Sequence, residues 1–241
     1  MRFRGKVARS STSTVGSSET SAGDAPGTAR PFRQAPGSRL GGSSAGHGPL
    51  RRAFYLRPAP EVARDLLGCL LVSRLQGALT AGRIVETEAY LGPEDAASHA
   101  AFRPSARELF YGPGGVAYVF QAYGLHACLN AIAGPRGVPG CVLIRALQPM
   151  QGHATMARRR GLPADALALS NGPAKLTEAL GITRRLNGAD LTRGPLTIWP
   201  PPAPRALTVA TGLRIGITRA ADRPLRFWIR DNRYVSRPHP A

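Results

Sequence analysis

Apolar positions are thinly scattered over the first 48 residues and dense after them. Before Leu50 the large apolar side chains are Met1, Phe3, Val7, Val15, Phe32 and Leu40, set among Gly, Ser, Thr, Ala and Pro. Such a segment buries too little apolar surface to offset its chain entropy. Residues 1–48 are therefore expected to form a disordered basic tail, and residues 49–241 the folded domain. Within the domain, Pro58-Ala-Pro60 leads into an amphipathic run at 61–67 that meets Gly68, the pattern of a helix with its natural stop. An apolar stretch at 69–75, the turn pair Gln76-Gly77 and a β-branched stretch at 81–90 predict two neighbouring strands. Strands are expected too at 116–122 and 127–133, meeting around Tyr123-Gly124, and at 141–147, 196–199, 213–217 and 227–229. Helices are expected at 156–168 and 175–180, the second preceded by Asn171-Gly172-Pro173. Strands and helices do not alternate as in βαβ units. The expected class is α+β, a single domain with a curved, mostly antiparallel sheet flanked by helices.

Charge narrows the choice of partner. The 241 residues carry 32 basic and 14 acidic side chains, a net +18. The tail holds seven basic and two acidic residues, which leaves +13 on the domain. An excess of that sign points to a polyanion. No run approaches the ~20 apolar residues of a membrane-spanning helix, so a helical membrane protein is excluded. Three cysteines, Cys69, Cys128 and Cys141, form no CxxC pair. That excludes a disulfide scaffold and the usual zinc-ribbon and iron–sulfur patterns, and fits a reducing setting. Arginine supplies 30 of the 32 basic residues, as a GC-rich genome would. The expected location is the cytoplasm of a GC-rich bacterium, with the nucleoid. The tail lacks a secretory apolar core, and its Gly and Pro content argues against the amphipathic helix of an organelle-targeting peptide.

Two segments concentrate chemistry. In Gly82-Arg-Ile-Val-Glu-Thr-Glu-Ala-Tyr90, strand alternation puts Ile84, Glu86, Glu88 and Tyr90 on one face and Val85, Thr87 and Ala89 on the other. Two carboxylates and a phenol sharing a face suit a site where one carboxylate acts as a base with a perturbed pKa. The same pattern also fits a solvated edge with ion-paired glutamates. The second segment, 111–126, gathers aromatics in a chain that is only 6% aromatic. Tyr118 and Phe120 alternate onto one face, and Tyr123 sits at the turn before Gly124. An aromatic at a hairpin tip of a basic protein is placed to wedge into a base stack, although core packing explains the spacing equally well.

These residues carry a resemblance. Glu86-Thr-Glu-Ala-Tyr-Leu-Gly-Pro-Glu-Asp95, Ala97-Ser-His99, Tyr118-Val-Phe-Gln-Ala-Tyr-Gly124, Asn130, Cys141-Val-Leu-Ile-Arg-Ala-Leu147 and Asn171-Gly-Pro-Ala-Lys-Leu176 resemble the alkyladenine/3-methyladenine DNA glycosylase family, in order and in register from about Ala53 to Ser236. The resemblance implies an enzyme that flips damaged purines out of DNA, in the 3-methyladenine and 7-methylguanine class, and hydrolyses the N-glycosidic bond. Glu88 matches the base that activates the attacking water, and Arg145 the arginine that helps hold it. Tyr90 matches the ring on one face of the flipped base; His99 and Phe120 match the opposite wall. Asn130 matches the residue that disfavours guanine, and Tyr123 the residue inserted into the minor groove. Lys175, Arg103 and Arg107 are the expected phosphate contacts. Phe120 stands where many members have tyrosine, and 102–107 departs from the family wording around its arginines. The fold implied is a barrel like the C-terminal domain of methionyl-tRNA formyltransferases. The implied partner is double-stranded DNA containing damaged purines, bound by a monomer with no metal or organic cofactor.

Lysine is scarce, with Lys6 in the tail and Lys175 away from the aromatic motifs. Strand nicking needs an amine for a Schiff base, so a purely hydrolytic, monofunctional glycosylase is expected. A zinc deaminase needs H-x-E and P-C-x-x-C, and His126-Ala-Cys128 supplies neither. A helix–hairpin–helix glycosylase has only a faint echo in Val138-Pro-Gly140. The competing reading from another class is a non-catalytic basic nucleic-acid-binding module on the same fold.

Overall fold

The computed structural model describes residues 48–122, 124–203 and 206–236. The tail expected at 1–48 lies almost wholly outside them, as does Tyr123. After a single helical turn, α1 (Arg52–Tyr55), helix α2 (Ala59–Asp65) buries Ala59, Val62 and Ala63, with Pro58 as its N-cap residue and Glu61 in its first turn. Strands β1 (Leu70–Leu75) and β2 (Ala78–Tyr90) form a hairpin across Gln76 and Gly77, both at positive φ. That is the two-residue turn whose twist matches paired strands, and Gly at its second position adopts it without strain. Two more one-turn helices, α3 (His99–Phe102) and α4 (Arg107–Phe110), precede the hairpin of β3 (Ala117–Ala122) and β4 (His126–Ile132). Then come β5 (Cys141–Gln151), α5 (His153–Arg160), α6 (Pro173–Leu180), β6 (Leu196–Trp199), β7 (Val209–Gly212) and β8 (Arg226–Ile229).

Among the described residues, the eight strands form one antiparallel sheet in the order β3-β4-β5-β2-β1-β6, with β8 joining β2 and β7 joining β8. The mixed fold with helices flanking an antiparallel sheet is as the sequence predicts. Strand pairing leaves β3 and β6 as sheet ends, so it does not close the barrel that the resemblance implies.

One face of the sheet carries the main core. Ile84, Ala89, Val119, Leu129, Val142, Ile144 and Leu147 pack there with Val62 and Leu66, with Met156 of α5, and with Leu176 and Leu180 of α6. Side chains one position along face the other way: Tyr118 on β3, Asn130 on β4 and Leu143 on β5. That second face is the one with chemistry on it.

Three expectations need correcting. Ile84 does not share a face with Glu86. The pairing of β2 with β5 skips Val85 and then Arg145, so the alternation slips by one and Ile84 turns into the core. A bulge of this kind re-aims side chains without any break in the hydrophobic pattern. The helix expected at 156–168 runs from His153 to Arg160 and stops at Gly161, which is left-handed, with Pro163 two residues on. The stretch 213–217 is a loop, and the strand lies just before it at Val209–Gly212.

Candidate active site

Strand β2 changes partners along its length. Residues 78–83 pair with β1, whereas Glu86, Thr87 and Glu88 pair with β5 on one side and β8 on the other. Both glutamates are thereby enclosed, with no exposed surface. Burying two carboxylates is costly unless each is paired and hydrogen-bonded. Glu86 Oε1 accepts from Arg145 Nε at 3.1 Å and from Arg226 Nε at 2.7 Å. The Ser236 amide donates to its Oε2 at 2.7 Å and the Ser236 hydroxyl to Oε1 at 3.0 Å.

Glu88 has a different set of partners. Its Oε1 faces Arg145 Nη1 at 3.1 Å and accepts from the Ile215 amide at 2.7 Å. Its Oε2 accepts from the Tyr90 hydroxyl at 2.9 Å. Burial pushes the Glu88 pKa above the usual carboxylate range; Arg145, the Ile215 amide and the Tyr90 hydroxyl pull against that rise, and Glu86 adds to it. Burial, then Glu88, raises the Tyr90 phenol as well, so it stays a donor. Arg145 stays cationic, because Glu88 and Glu86 outweigh its own desolvation.

A cavity of about 720 Å³ opens on this face. Tyr90, His99, Arg103, Phe120, Asn130 and Arg145, all expected from sequence, line it together, and Tyr118 and the loop 215–219 complete the walls. Glu88 does not reach the cavity surface; it lies behind Tyr90, Arg145 and Ile215, which do. His99 Nδ1 stands 2.7 Å from the Tyr118 hydroxyl, and its ring meets Phe120 edge-on at 4.5 Å between centroids. Arg103 lies over the Phe120 ring at 5.8 Å. Asn130 Nδ2 donates to the Tyr118 carbonyl at 3.2 Å, and the Cys141 thiol donates to Asn130 Oδ1 at 3.7 Å.

Two expected residues stand apart. Arg107 is exposed and lies over Tyr111 at 4.7 Å, outside the cavity lining. Lys175 donates to Asn171 Oδ1 at 2.9 Å and does not line the cavity, although Pro173, at the start of its helix, does. Sequence reasoning missed Asp95, Arg214, Ile215, Arg226 and Ser236, which hold the carboxylates and walls in place. The signal for Arg214 was present: a single charge inside the apolar run Leu213-Arg-Ile-Gly-Ile217 must find a partner once buried. Among the described residues, no group of three or more His, Cys, Asp or Glu side chains is arranged to hold a metal ion, and no helix is long and apolar enough to cross a membrane.

Comparison with known proteins adds to the geometry. A family model described as methylpurine-DNA glycosylase matches residues 53–233. A protein of Methanoculleus marisnigri is 49% identical over 191 residues, covering 78% of this chain and 98% of its own length. One from Bradyrhizobium diazoefficiens is 45% identical over 193 residues, covering 80% and 92%. One from Rubrobacter xylanophilus is 50% identical over 168 residues, covering 68% and 85%. All three are named, provisionally, 3-methyladenine DNA glycosylase.

Proposed function

This chain belongs to the methylpurine-DNA glycosylase family, and from that membership and the cavity we propose that it excises alkylated purines from double-stranded DNA by hydrolysing the N-glycosidic bond, leaving an abasic site. The observation that carries the reading is the Arg145–Glu88 pair at the base of an aromatic cavity.

Alkylation at a ring nitrogen makes a purine cationic, so it leaves more readily and favours aromatic faces. It is also less well stacked and paired, which lowers the cost of flipping it out. Tyr90 supplies one face of the pocket, and His99 with Phe120 the other. Asn130, its amide held by Tyr118 and Cys141, meets the purine edge and disfavours the 2-amino group of guanine.

Glu88 is assigned as the base. An ionised carboxylate offers about four acceptor positions. Arg145 and Ile215 occupy Oε1 and Tyr90 occupies one position on Oε2, which leaves one on Oε2 for water. The water oxygen bonds to the sugar carbon, its proton passes to Glu88, and the bonding pair leaves with the base, which departs neutral if it was cationic. Positive charge building on the sugar is stabilised by the same carboxylate. Arg145 orients the water. Lys175, the domain's sole lysine, is engaged by Asn171 away from the cavity, which supports a hydrolytic, monofunctional enzyme.

One observation favours the competing reading of a non-catalytic DNA-binding module: Glu88 has no exposed surface. Single-turnover base release from duplexes that each carry one defined lesion separates the two. Glu88→Gln is expected to keep lesion binding and lose base release by about 10²-fold or more. Wild-type protein that binds every lesion and releases no base would leave only the binding module.

A further inference from the structure

Two walls of the cavity are fastened to each other by one buried ion pair. Arg214 donates from Nη1 to Asp95 Oδ2 at 2.6 Å and from Nη2 to Asp95 Oδ1 at 2.8 Å, and neither side chain is exposed. The same guanidinium donates to the Ala89 carbonyl at 3.1 Å and the Ala220 carbonyl at 3.0 Å, and lies 4.7 Å over the ring of Tyr90. Asp95 also accepts from the amides of Leu91 and Ala97. Asp95 thus organises the segment that puts Ala96 and Ala97 on one wall, and Arg214 begins the loop that forms the other. The next residue after Arg214 is Ile215, whose amide holds Glu88 Oε1 at 2.7 Å.

A buried pair of this kind adds little net stability, because desolvation offsets the attraction. What a planar, bidentate fork supplies is orientation, and a lysine cannot reproduce it. We propose that Arg214, locked by Asp95, is a positioning residue for base excision: it fixes the 213–219 loop so that the Ile215 amide holds Glu88 and the Tyr90 ring keeps its place in the wall. The proposal rests on Glu88 being the base.

The groups facing Glu88 are Glu86 and Tyr90 from its own strand, Arg145 from β5, Arg226 opposite it on β8, and Arg214 with the Ile215 amide from the loop. The amide favours the ionised carboxylate, so letting it go raises the proton affinity of Glu88. A loosened loop therefore moves the acid limb of the pH–rate profile to higher pH.

The test uses the full chain, a duplex with one 3-methyladenine-class lesion, and single-turnover base release from about pH 5 to 9. Arg214→Lys and Asp95→Asn are each expected to slow release at saturating protein by about tenfold. The acid limb is expected to rise by about half a pH unit. A folded Arg214→Lys protein with the wild-type rate and limb overturns the proposal, whatever its melting temperature. Amide hydrogen exchange on the unaltered protein gives a second reading that needs no variant. The Ile215 amide is expected to be protected like the Ala89 amide, which donates to the Leu225 carbonyl just before β8. An Ile215 amide that exchanges like an open loop overturns the proposal. Normal turnover in Glu88→Gln would instead mark the failure of the base assignment, and exchange alone would then judge the clamp.

Discussion

Tyr118 and His99 meet through one short hydrogen bond, hydroxyl to Nδ1 at 2.7 Å, on the wall where Phe120 stacks against the tyrosine. Burial, and then the charge of Arg103, pushes the imidazole pKa down to about 4, and burial pushes the phenol up to about 12. Both rings are therefore neutral across ordinary pH. The wall presents uncharged aromatic rings to the cavity there, with Arg103 standing beside it.

Stability follows from the same imidazole. Its folded pKa lies below the ordinary 6.5, so the unfolded chain binds more protons between about pH 4 and 6.5. Stability should rise with pH through that window. His99→Gln should flatten the rise, read as melting temperature against pH. An unchanged slope would remove His99 as its source.

Glu86 is the more heavily bonded of the two carboxylates, and it stands between two arginines. Glu86→Gln leaves Arg145 and Arg226 without their shared anion, a loss on the order of 3–5 kcal/mol by analogy with other broken buried pairs. Glu88→Gln should cost less stability and more activity. Urea unfolding paired with single-turnover release checks both halves, and a reversed order in either would contradict the division of labour.

Phosphate contacts should dominate binding. With +13 on the domain, log affinity should fall linearly with log salt, by about 0.9 per phosphate neutralised. Deleting residues 1–48 should weaken non-specific binding and leave base release at saturating DNA unchanged. A flat salt dependence, or a truncated protein that binds but cannot cleave, would contradict this.

Tyr123 lies outside the described residues, but Gln121 and Ala122 beside it line the cavity and Leu125 is 80% exposed. If its ring fills the gap left by a flipped nucleotide, Tyr123→Ser should impair release of a well-stacked lesion more than of one opposite a mismatch. Unstacking costs a few kcal/mol, and less where stacking is already broken. Tyr123→Phe should be near neutral. A lowered melting temperature with equal losses on both duplexes would return the residue to the core.

Much of this arrangement is legible in the chain. The Gln76-Gly77 turn, the shared face of Glu86, Glu88 and Tyr90, and the Tyr118/Phe120 alternation follow from period and turn chemistry. The bulges at Val85 and Arg145 do not, because skipping one residue leaves the apolar pattern intact while inverting one side chain. Leu213-Arg-Ile-Gly-Ile217 reads as a strand until Arg214 is seen to turn inward to Asp95, 119 positions away. Helices of four residues, such as α3 and α4, are too short to show a period. The stop at Gly161 and Pro163 was legible, and it outweighs the apolar residues that follow.

The switch of β2 from β1 to β8 has a consequence for synthesis on the ribosome. The Glu86 carboxylate depends on Arg226, 140 positions later, and on Ser236, 150 positions later. A nascent chain that has already made the β1–β2 hairpin and β5 still carries an open strand edge at 86–88 and an acidic pair only partly neutralised. The core on the opposite face can begin to pack in the meantime, since most of its helices and strands are in place by Leu180, while Leu191, then Leu196 and Ile198 of β6, and Phe227 of β8 join it later. One side of the fold can thus harden first, and the cavity face is finished only when β8 and Ser236 arrive.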